Sequence, residues 1–188
     1  MLQPPVVIEG VRLRLRRSTP ADARATYETA HDDEVMRYLD WPAHRSEAEA
    51  RGYLEGCAAR WESGTEYHWV IERKPAGAVI GAMACGVKGH AADFGYFLGR
   101  GHWGQGLASE AAGLLVGWLR RQPAIVRIWA TTDHDNQRSG AVLRKAGLTL
   151  EGMMRKATLR RNIGGAPRDT ALYAWVREDV APPDEVSR

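Results

Sequence analysis

The stretch Gly99-Arg100-Gly101-His102-Trp103-Gly104-Gln105-Gly106 places four glycines among eight residues, between two patterned segments. The residues before it, Asp93 to Leu98, are typical of a β-strand, and the apolar residues from Leu107 to Leu119 recur at helical spacing. Glycines at such a junction let backbone N–H groups approach a ligand closely. Because a helix N-terminus also carries unpaired donors and partial positive charge, the stretch predicts a binding site for a phosphate or pyrophosphate group.

The glycines of the chain are concentrated around this stretch. Average usage gives roughly 13 glycines in a chain of this length. The sequence has 20 among its 188 residues, and nine of them lie between Gly77 and Gly106. The surplus is therefore local, and it marks the window in which we expect the functional site.

The same stretch also matches the GxGxxG pattern of dinucleotide-binding loops, which makes an NAD-dependent oxidoreductase a distant alternative. That pattern requires an acidic residue ~20 positions further on, at the end of the next strand. The first acidic residue after that strand is Asp133, which lies 29 positions past Gly104. The bulky pair His102-Trp103 would also crowd a dinucleotide. These features disfavour an NAD site.

Composition and charge exclude several classes of protein. The chain is 44% hydrophobic and 26% charged, as globular domains are, and its net charge is +3 without a concentrated basic stripe. We therefore expect no nucleic-acid partner. No segment approaches the ~18 uninterrupted apolar residues of a membrane span, and Met1 to Glu9 does not resemble a signal peptide. The two cysteines lie in apolar patterns with no metal or disulfide spacing. We expect a cytoplasmic protein without membrane association.

Hydrophobic periodicity predicts one mixed sheet with flanking helices. Three strand-like runs joined by short connections predict an antiparallel meander, and a strand-helix-strand unit after the third strand predicts a parallel crossover. A further helix is expected over Asp33 to Leu39. No linker divides the chain, so we predict a single domain over residues 1–188, with a core at about 10–177 and a frayed tail at 181–188. The predicted meander strands are Tyr67–Glu72, Ala78–Val87 and Asp93–Leu98, and the predicted strands Leu148–Leu150 and Thr170–Val176 complete the sheet.

Four blocks of sequence carry a resemblance. Gly95-Tyr96-Phe97-Leu98 followed by Trp103-Gly104-Gln105-Gly106-Leu107-Ala108-Ser109-Glu110-Ala111 is similar to the acyl-CoA signature of GNAT-type N-acetyltransferases, in the RimJ/RimL branch that acetylates N-termini of ribosomal proteins. The resemblance spans roughly residues 10 to 177. It departs at Gly101, where the family-wide pattern opens with Gln or Arg. The other blocks are Leu13-Arg14-Leu15-Arg16 with Thr19-Pro20-Ala21-Asp22, Glu34-Val35-Met36-Arg37-Tyr38-Leu39 up to Trp41-Pro42, and Asn136 to Arg155.

The resemblance implies an α+β (mixed α/β) GNAT acyl-CoA N-acyltransferase fold, with a central mostly antiparallel sheet, a splayed parallel strand pair and flanking helices. It implies acetyl-CoA as co-substrate and no metal. The pantetheine arm would lie between the splayed strands, with Gly95 as the bulge that opens them, and backbone amides would hold the pyrophosphate. The implied cofactor-binding residues are Phe97, Leu98, Gly99, Trp103, Gly104, Gln105, Gly106, Leu107, Ala108, Asn136 and Ser139.

The implied reaction is acetyl transfer to a primary amine by direct attack in a ternary complex. Asp93 would accept the amine proton through water, and Ser139 would donate a hydrogen bond to the departing thiolate. A backbone N–H from Phe97 to Gly99 would polarise the carbonyl. Some members of the branch carry a carboxylate where this chain has Thr158. An acyl-CoA-binding sensor without catalytic activity is therefore the alternative, and His134 is a distant candidate for the base.

The acceptor amine is less defined by the sequence. Making a lysine side chain neutral at pH 7 costs roughly 4.6 kcal/mol, whereas an α-amino group costs roughly 1.4 kcal/mol. An N-terminal α-amino group of a protein therefore requires a weaker base. A small-molecule amine is the alternative acceptor. By the resemblance, Tyr38 and Trp41 would contact the acceptor. A monomer and a homodimer are equally compatible with the sequence.

Overall fold

The computed structural model describes residues 2–178, so the predicted tail at 181–188 lies outside the described residues. Short 3₁₀ turns at Pro20–Asp22 and Arg100–His102 precede helices. The strands and helices are β1 (Val7–Glu9), β2 (Leu13–Arg17), α1 (Ala23–Ala30), α2 (Asp33–Met36), α3 (Glu47–Ser63), β3 (Glu66–Arg73), β4 (Ala78–Lys88), β5 (Ala91–Leu98), α4 (Leu107–Arg120), β6 (Arg127–Asp133), α5 (Gln137–Lys145), β7 (Thr149–Leu159) and β8 (Pro167–Val176).

All eight strands form one sheet in the order β1-β2-β3-β4-β5-β6-β8-β7. Every neighbouring pair is antiparallel except β5 and β6, which are parallel. The parallel ladder covers only three residue pairs and ends at Asp93 and Trp129. Beyond that point the two strands have no mutual pairing, so a gap opens in the middle of the sheet. The predicted GNAT fold with its splayed parallel pair is confirmed.

The cause of the splay differs from the sequence prediction. We expected Gly95 to be a bulge, but β4 and β5 pair without a register shift from Gly81 to Lys88, and Gly95 lies opposite Ala84. The bulge prediction was wrong. The gap arises because β6 leaves the edge of β5 after Asp93, and β6 then pairs with β8 along its whole length.

Two apolar clusters hold the helices on opposite faces of the sheet. On one face, α4 buries Leu107, Leu115 and Leu119 completely against strand residues such as Trp69. Truncating one of these leucines to alanine costs about 2–5 kcal/mol of stability. On the other face, Ala30 and Met36 of α1 and α2 pack against Ala82 and Phe97.

Local capping explains where several helices begin and end. Ser46 Oγ accepts a hydrogen bond from Glu49 N at the start of α3, and Gly64, with φ +72°, ends that helix. Helix α2 stops at Met36 instead of the predicted Leu39. Strand β1 was not predicted, and β7 is longer than the expected Leu148 to Leu150. Within residues 2–178, no helix combines the length and the apolarity that crossing a membrane requires.

Candidate active site

A cleft of about 1200 Å³ passes through the gap between β5 and β6. It reaches from the head of α4 and α5 on one side of the sheet to the segments around α2 and α3 on the other. The predicted site residues that line it are Tyr38, Trp41, Asp93, Phe97, Leu98, Trp103, Gly104, Gly106, Leu107, Ala108, Asn136 and Ser139. Twelve of the fourteen predicted site residues therefore line the cleft, and Gly99 and Gln105 do not.

The head of α4 presents a row of free backbone donors to this cleft. Gly104 and Gly106 have φ values of +74° and +75°, which turn the chain so that it enters the 14-residue helix α4. Among residues 2–178, the six consecutive amides from Gly104 to Ser109 donate to no protein acceptor, and the first helical bond runs from Glu110 N to Gly106 O (3.0 Å). Unpaired N–H groups at a helix N-terminus form an anion-binding site.

Gly99 and Gln105 have other roles. The Gly99 N–H donates to Ile80 O (2.8 Å) and so belongs to the sheet. The Gln105 side chain donates to Gly101 O (3.0 Å) and accepts from Arg73 (2.8 Å), so it supports the outside of the turn. The backbone N–H of Gln105 remains one of the six unpaired amides.

The alternation of the antiparallel ladder identifies which strand amides face the gap. The Gly99 N–H, directly after β5, donates to Ile80 O. In an antiparallel ladder every second residue bonds to the same neighbour, so the amides of Phe97 and of every second residue before it point toward β4. The amide of Leu98 therefore points toward the gap. The Leu98 carbonyl oxygen accepts from Trp103 Nε1 at 2.6 Å, which places the bulky Trp103 along the same wall.

Ser139 and Asn136 lie at the start of α5, beside the gap. Asn136 Oδ1 accepts from Ser139 N (3.2 Å), so Asn136 is the N-cap of α5. Ser139 Oγ lies 3.0 Å from the hydroxyl of Tyr96, which also lines the cleft. Burial raises the pKa of Tyr96 to about 12, so the phenol stays protonated. Tyr96 was not predicted as a site residue, although its alternation with Phe94 and Leu98 places its side chain on the face of β5 that packs against α4 and α5.

Asp93 lies at the other end of the gap, where the parallel ladder ends. Its carboxylate lies over the backbone of Gly86 on β4. Gly86 pairs with Asp93 on one side and with Glu66 on the other, so it lies between the two acidic residues in the sheet. Among residues 2–178, no side chain donates a hydrogen bond to it. Loss of solvation, with a smaller effect of the Glu66 charge, raises the pKa of Asp93 above its ordinary value. A raised pKa makes this carboxylate a stronger base, which suits it to accept a proton.

Four rings line the side of the cleft next to α2 and α3, which we call the aromatic chamber (Tyr38, Trp41, Tyr53 and His68). Trp41 stacks on Tyr53 with ring centroids 6.5 Å apart, and Tyr53 meets the His68 ring edge-on at 5.5 Å. His68 Nδ1 lies 2.8 Å from Ser18 Oγ. Burial lowers the pKa of His68 to about 4, so this histidine is neutral at pH 7.

Thr158 and the distant candidate base His134 both lie away from the cleft. Thr158, at the position where some relatives carry a carboxylate, receives a hydrogen bond from Thr170 (3.0 Å) and does not line the cleft. His134 does not line it either, and its backbone N–H donates to Asp169 O (3.0 Å). Within the described part of the chain, no cluster of metal-ligating side chains occurs.

Comparisons with known proteins agree with this geometry. Residues 12–149 match the family model described as acetyltransferase (GNAT) domain. The uncharacterized N-acetyltransferase YoaA of Bacillus subtilis (strain 168) is 31% identical over 174 residues, which cover 91% of this chain and 97% of that protein. The ribosomal protein uS5-alanine N-acetyltransferase of Escherichia coli (strain K12) is 34% identical over 93 residues, 50% of this chain and 46% of that protein.

A solved structure shows the same fold with a ligand. The RimL ribosomal L7/L12 alpha-N-protein acetyltransferase in complex with coenzyme A superimposes with a TM-score of 0.81 at 26% identity, and the match covers 90% of this chain and 97% of that chain.

Proposed function

The chain belongs to the GNAT acetyltransferase family and is an acyltransferase, and from this premise we propose that it transfers an acetyl group from acetyl-CoA to a primary amine. The amine is an N-terminal α-amino group of a protein or the amine of a small molecule, and it attacks the thioester directly in a ternary complex. The observation that carries this proposal is the run of six unpaired backbone amides from Gly104 to Ser109, beside the cleft that passes through the gap in the sheet.

The free amides suit the pyrophosphate of acetyl-CoA. Donors at a helix N-terminus, with the partial positive charge of the 14-residue α4 behind them, bind an anion without requiring a charged side chain. The pantetheine arm would then extend through the gap between β5 and β6, where strand donors such as the Leu98 amide have no partner strand. The CoA complex of the RimL relative supports this assignment.

The attacking amine would enter from the aromatic chamber. Asp93, Gly95 and Phe97 alternate toward that face of the sheet, so the carboxylate of Asp93 and the chamber lie on the same side of β5. Asp93 would accept the amine proton through a water molecule, and its raised pKa favours this role. An α-amino group is the easier substrate because its pKa of ~8 is close to neutral.

The leaving group would depart on the opposite side of β5. As the nitrogen forms its bond to the carbonyl carbon, the Leu98 amide would stabilise the oxyanion. The C–S bond then breaks, and Ser139 would donate a proton or hydrogen bond to the thiolate. The Tyr96 hydroxyl is suited to supply the next donor, because it is protonated and lies 3.0 Å from Ser139 Oγ.

Product analysis tests the proposal. The protein is incubated with acetyl-CoA and a panel of N-terminal peptides, amino acids and polyamines, and the products are examined by mass spectrometry with fragmentation. We expect at least one acceptor to gain the mass of one acetyl group on a primary amine, and fragmentation identifies the nitrogen that carries it. If every acceptor remains unmodified while acetyl-CoA is bound, the proposed reaction is wrong.

A further inference from the structure

We propose that Arg160 binds an oxyanion on the acceptor, so that the acetylated amine belongs to a molecule that also carries a carboxylate or a phosphate group. This inference rests on the proposed function and names the acceptor class for the same site. Arg160 directly follows β7, is only 5% exposed, and lines the cleft beside the aromatic chamber.

The guanidinium of Arg160 is buried with most of its donors unpaired. Among residues 2–178, its hydrogen bonding is limited to one bond from a terminal nitrogen to Asp40 Oδ1, and its buried Nε has no acceptor. The side chain of Asp40 is 62% exposed, so solvent screens this ion pair. A guanidinium has five N–H donors in a planar fork that matches a carboxylate or phosphate. The remaining donors of Arg160 are therefore available to a ligand in the cleft.

Asp133 is the second carboxylate near Arg160, and its oxygen atoms are already occupied. Arg168 donates to both of them, at 2.6 Å and 3.0 Å, and Asp135 N donates to Oδ1 at 3.0 Å. Burial acts to raise the pKa of Asp133, but Arg168 and, more weakly, Arg160 hold it below its ordinary value. Arg160 thus interacts with Asp133 only through space, and its donors remain free.

Contacts on the turn after β7 fix Arg160 to the wall of the aromatic chamber. Asn162 Nδ2 donates to Met36 O (2.7 Å) and to Trp41 O (2.9 Å), and Asp40 directly precedes Trp41. The turn and the chamber wall therefore form one fastened unit, which holds Arg160 in the lining of the cleft.

Arg160 and Asp93 both line the cleft, so an acceptor whose amine lies near Asp93 would place its oxyanion at Arg160. Amino acids, short peptides and amino phosphates carry such a group, whereas polyamines do not.

Matched pairs of acceptors test the inference. Alanyl-alanine is compared with its C-terminal amide, and phosphoethanolamine with ethanolamine, so that the two arms separate carboxylate from phosphate. The readout is the ratio of kcat/KM values within each pair, because the intrinsic reactivity of each amine cancels when a variant is compared with wild type. The wild-type ratio should favour the oxyanion in at least one pair. Arg160→Met should reduce that ratio by roughly tenfold to a hundredfold.

Asp40→Asn is the control that separates substrate binding from loop anchoring. It removes the carboxylate that competes for Arg160, so the ratio should stay equal or rise. If Arg160 only fastens the loop through Asp40, Arg160→Met and Asp40→Asn should instead alter the kinetics in the same direction. Equal ratios in wild type and Arg160→Met, or a parallel fall in both variants, would overturn the inference.

A binding measurement does not depend on turnover. In the presence of CoA, alanyl-alanine or phosphoethanolamine should raise the Tm of the wild-type protein more than its uncharged partner does, and Arg160→Lys should lose most of this difference. If no amine is acetylated but the difference is present, the proposed function fails and the oxyanion site stands. If amines are acetylated and the difference is absent, the inference alone fails. Arg160→Lys keeps the positive charge, so this variant replaces Arg160→Met in the test if Arg160→Met does not fold.

Discussion

The hydroxyl of Tyr96 lies 3.0 Å from Ser139 Oγ, so a strand residue at the gap in the sheet is hydrogen-bonded to the first turn of α5. The two residues are 43 positions apart and meet only because β5 and β6 separate. If Ser139 is the donor to the departing thiolate, Tyr96 supplies the second donor behind it.

Ser139→Ala should lower kcat by roughly a hundredfold, because it removes the group that stabilises the thiolate. Tyr96→Phe should lower kcat less, since Ser139 keeps its hydroxyl. Neither change should shift the Kd of CoA by more than a few-fold, because the free amides remain. Steady-state kinetics and calorimetric titration with CoA measure the two effects. Thr158→Ala, outside the cleft, is the matched control, and a kcat for Ser139→Ala equal to that of this control would contradict the assigned role.

The glycines of the α4 head should differ in their tolerance to substitution. Gly104 and Gly106 have positive φ angles, at which an alanine costs about 1–2 kcal/mol of strain. Gly104→Ala should therefore weaken CoA binding by roughly tenfold, either through strain or through displacement of the amides. Gly101→Ala is the control, since Gly101 has no positive φ and a Cβ there meets no atom within 4 Å. Equal Kd values for the two variants would argue against the amide row as the anion site.

The pH dependence of the rate should report on Asp93. Burial and the Glu66 charge raise its pKa, so the acid limb of kcat/KM should lie above the ordinary aspartate value of 3.8. Asp93→Asn should abolish this limb and lower the rate by about 10²–10⁴-fold at pH 7. Glu66→Gln removes a negative neighbour and should move the limb to lower pH. A wild-type profile retained in Asp93→Asn would assign the proton to another group.

The buried His68 should make the protein less stable in mild acid. Burial lowers its pKa from 6.5 to about 4, so the unfolded chain takes up the proton first as the pH falls. The contribution of His68 to stability is therefore complete above pH 6.5 and is lost progressively down to about pH 4, by about 3 kcal/mol. Urea unfolding at both pH values should show a smaller drop for His68→Gln than for wild type. The exposed His31→Gln control should keep the wild-type drop, and an equal drop in all three proteins would exclude His68 as the cause.

The sequence predicted the features that local patterns encode. The meander, the crossover to a parallel strand and the glycine-rich head of α4 follow from periodicity and from glycines at a strand-to-helix junction, and the structure has all three. Asn136 and Ser139 were predicted as site residues from the family resemblance, and the structure places both in the cleft wall at the start of α5. Each of these signals is read from neighbouring residues along the chain, so one sequence is enough to predict them.

Features that depend on distant pairing were missed. The pairing of Tyr96 with Ser139 depends on where β6 leaves β5, which a sequence does not show. The bulge at Gly95 was wrongly predicted because a glycine within a strand occurs both at bulges and in regular pairing, and the sequence does not distinguish the two. Arg160 contacts Asp40 across 120 positions, and as one of three arginines within seven residues it gives no local signal of burial. Helix α2 ends before the predicted Leu39 because the residues after it turn to form the wall of the aromatic chamber, where Asn162 is hydrogen-bonded to them.

Amine-dependent release of the CoA thiol tests the central claim most directly. With acetyl-CoA and an α-amino acceptor in excess, a thiol reagent should record release that depends on both the acceptor and the protein, and Ser139→Ala should slow it. Strong stabilisation of the fold by acetyl-CoA, with no thiol released for any amine, would contradict acetyl transfer and would identify the protein as an acyl-CoA sensor.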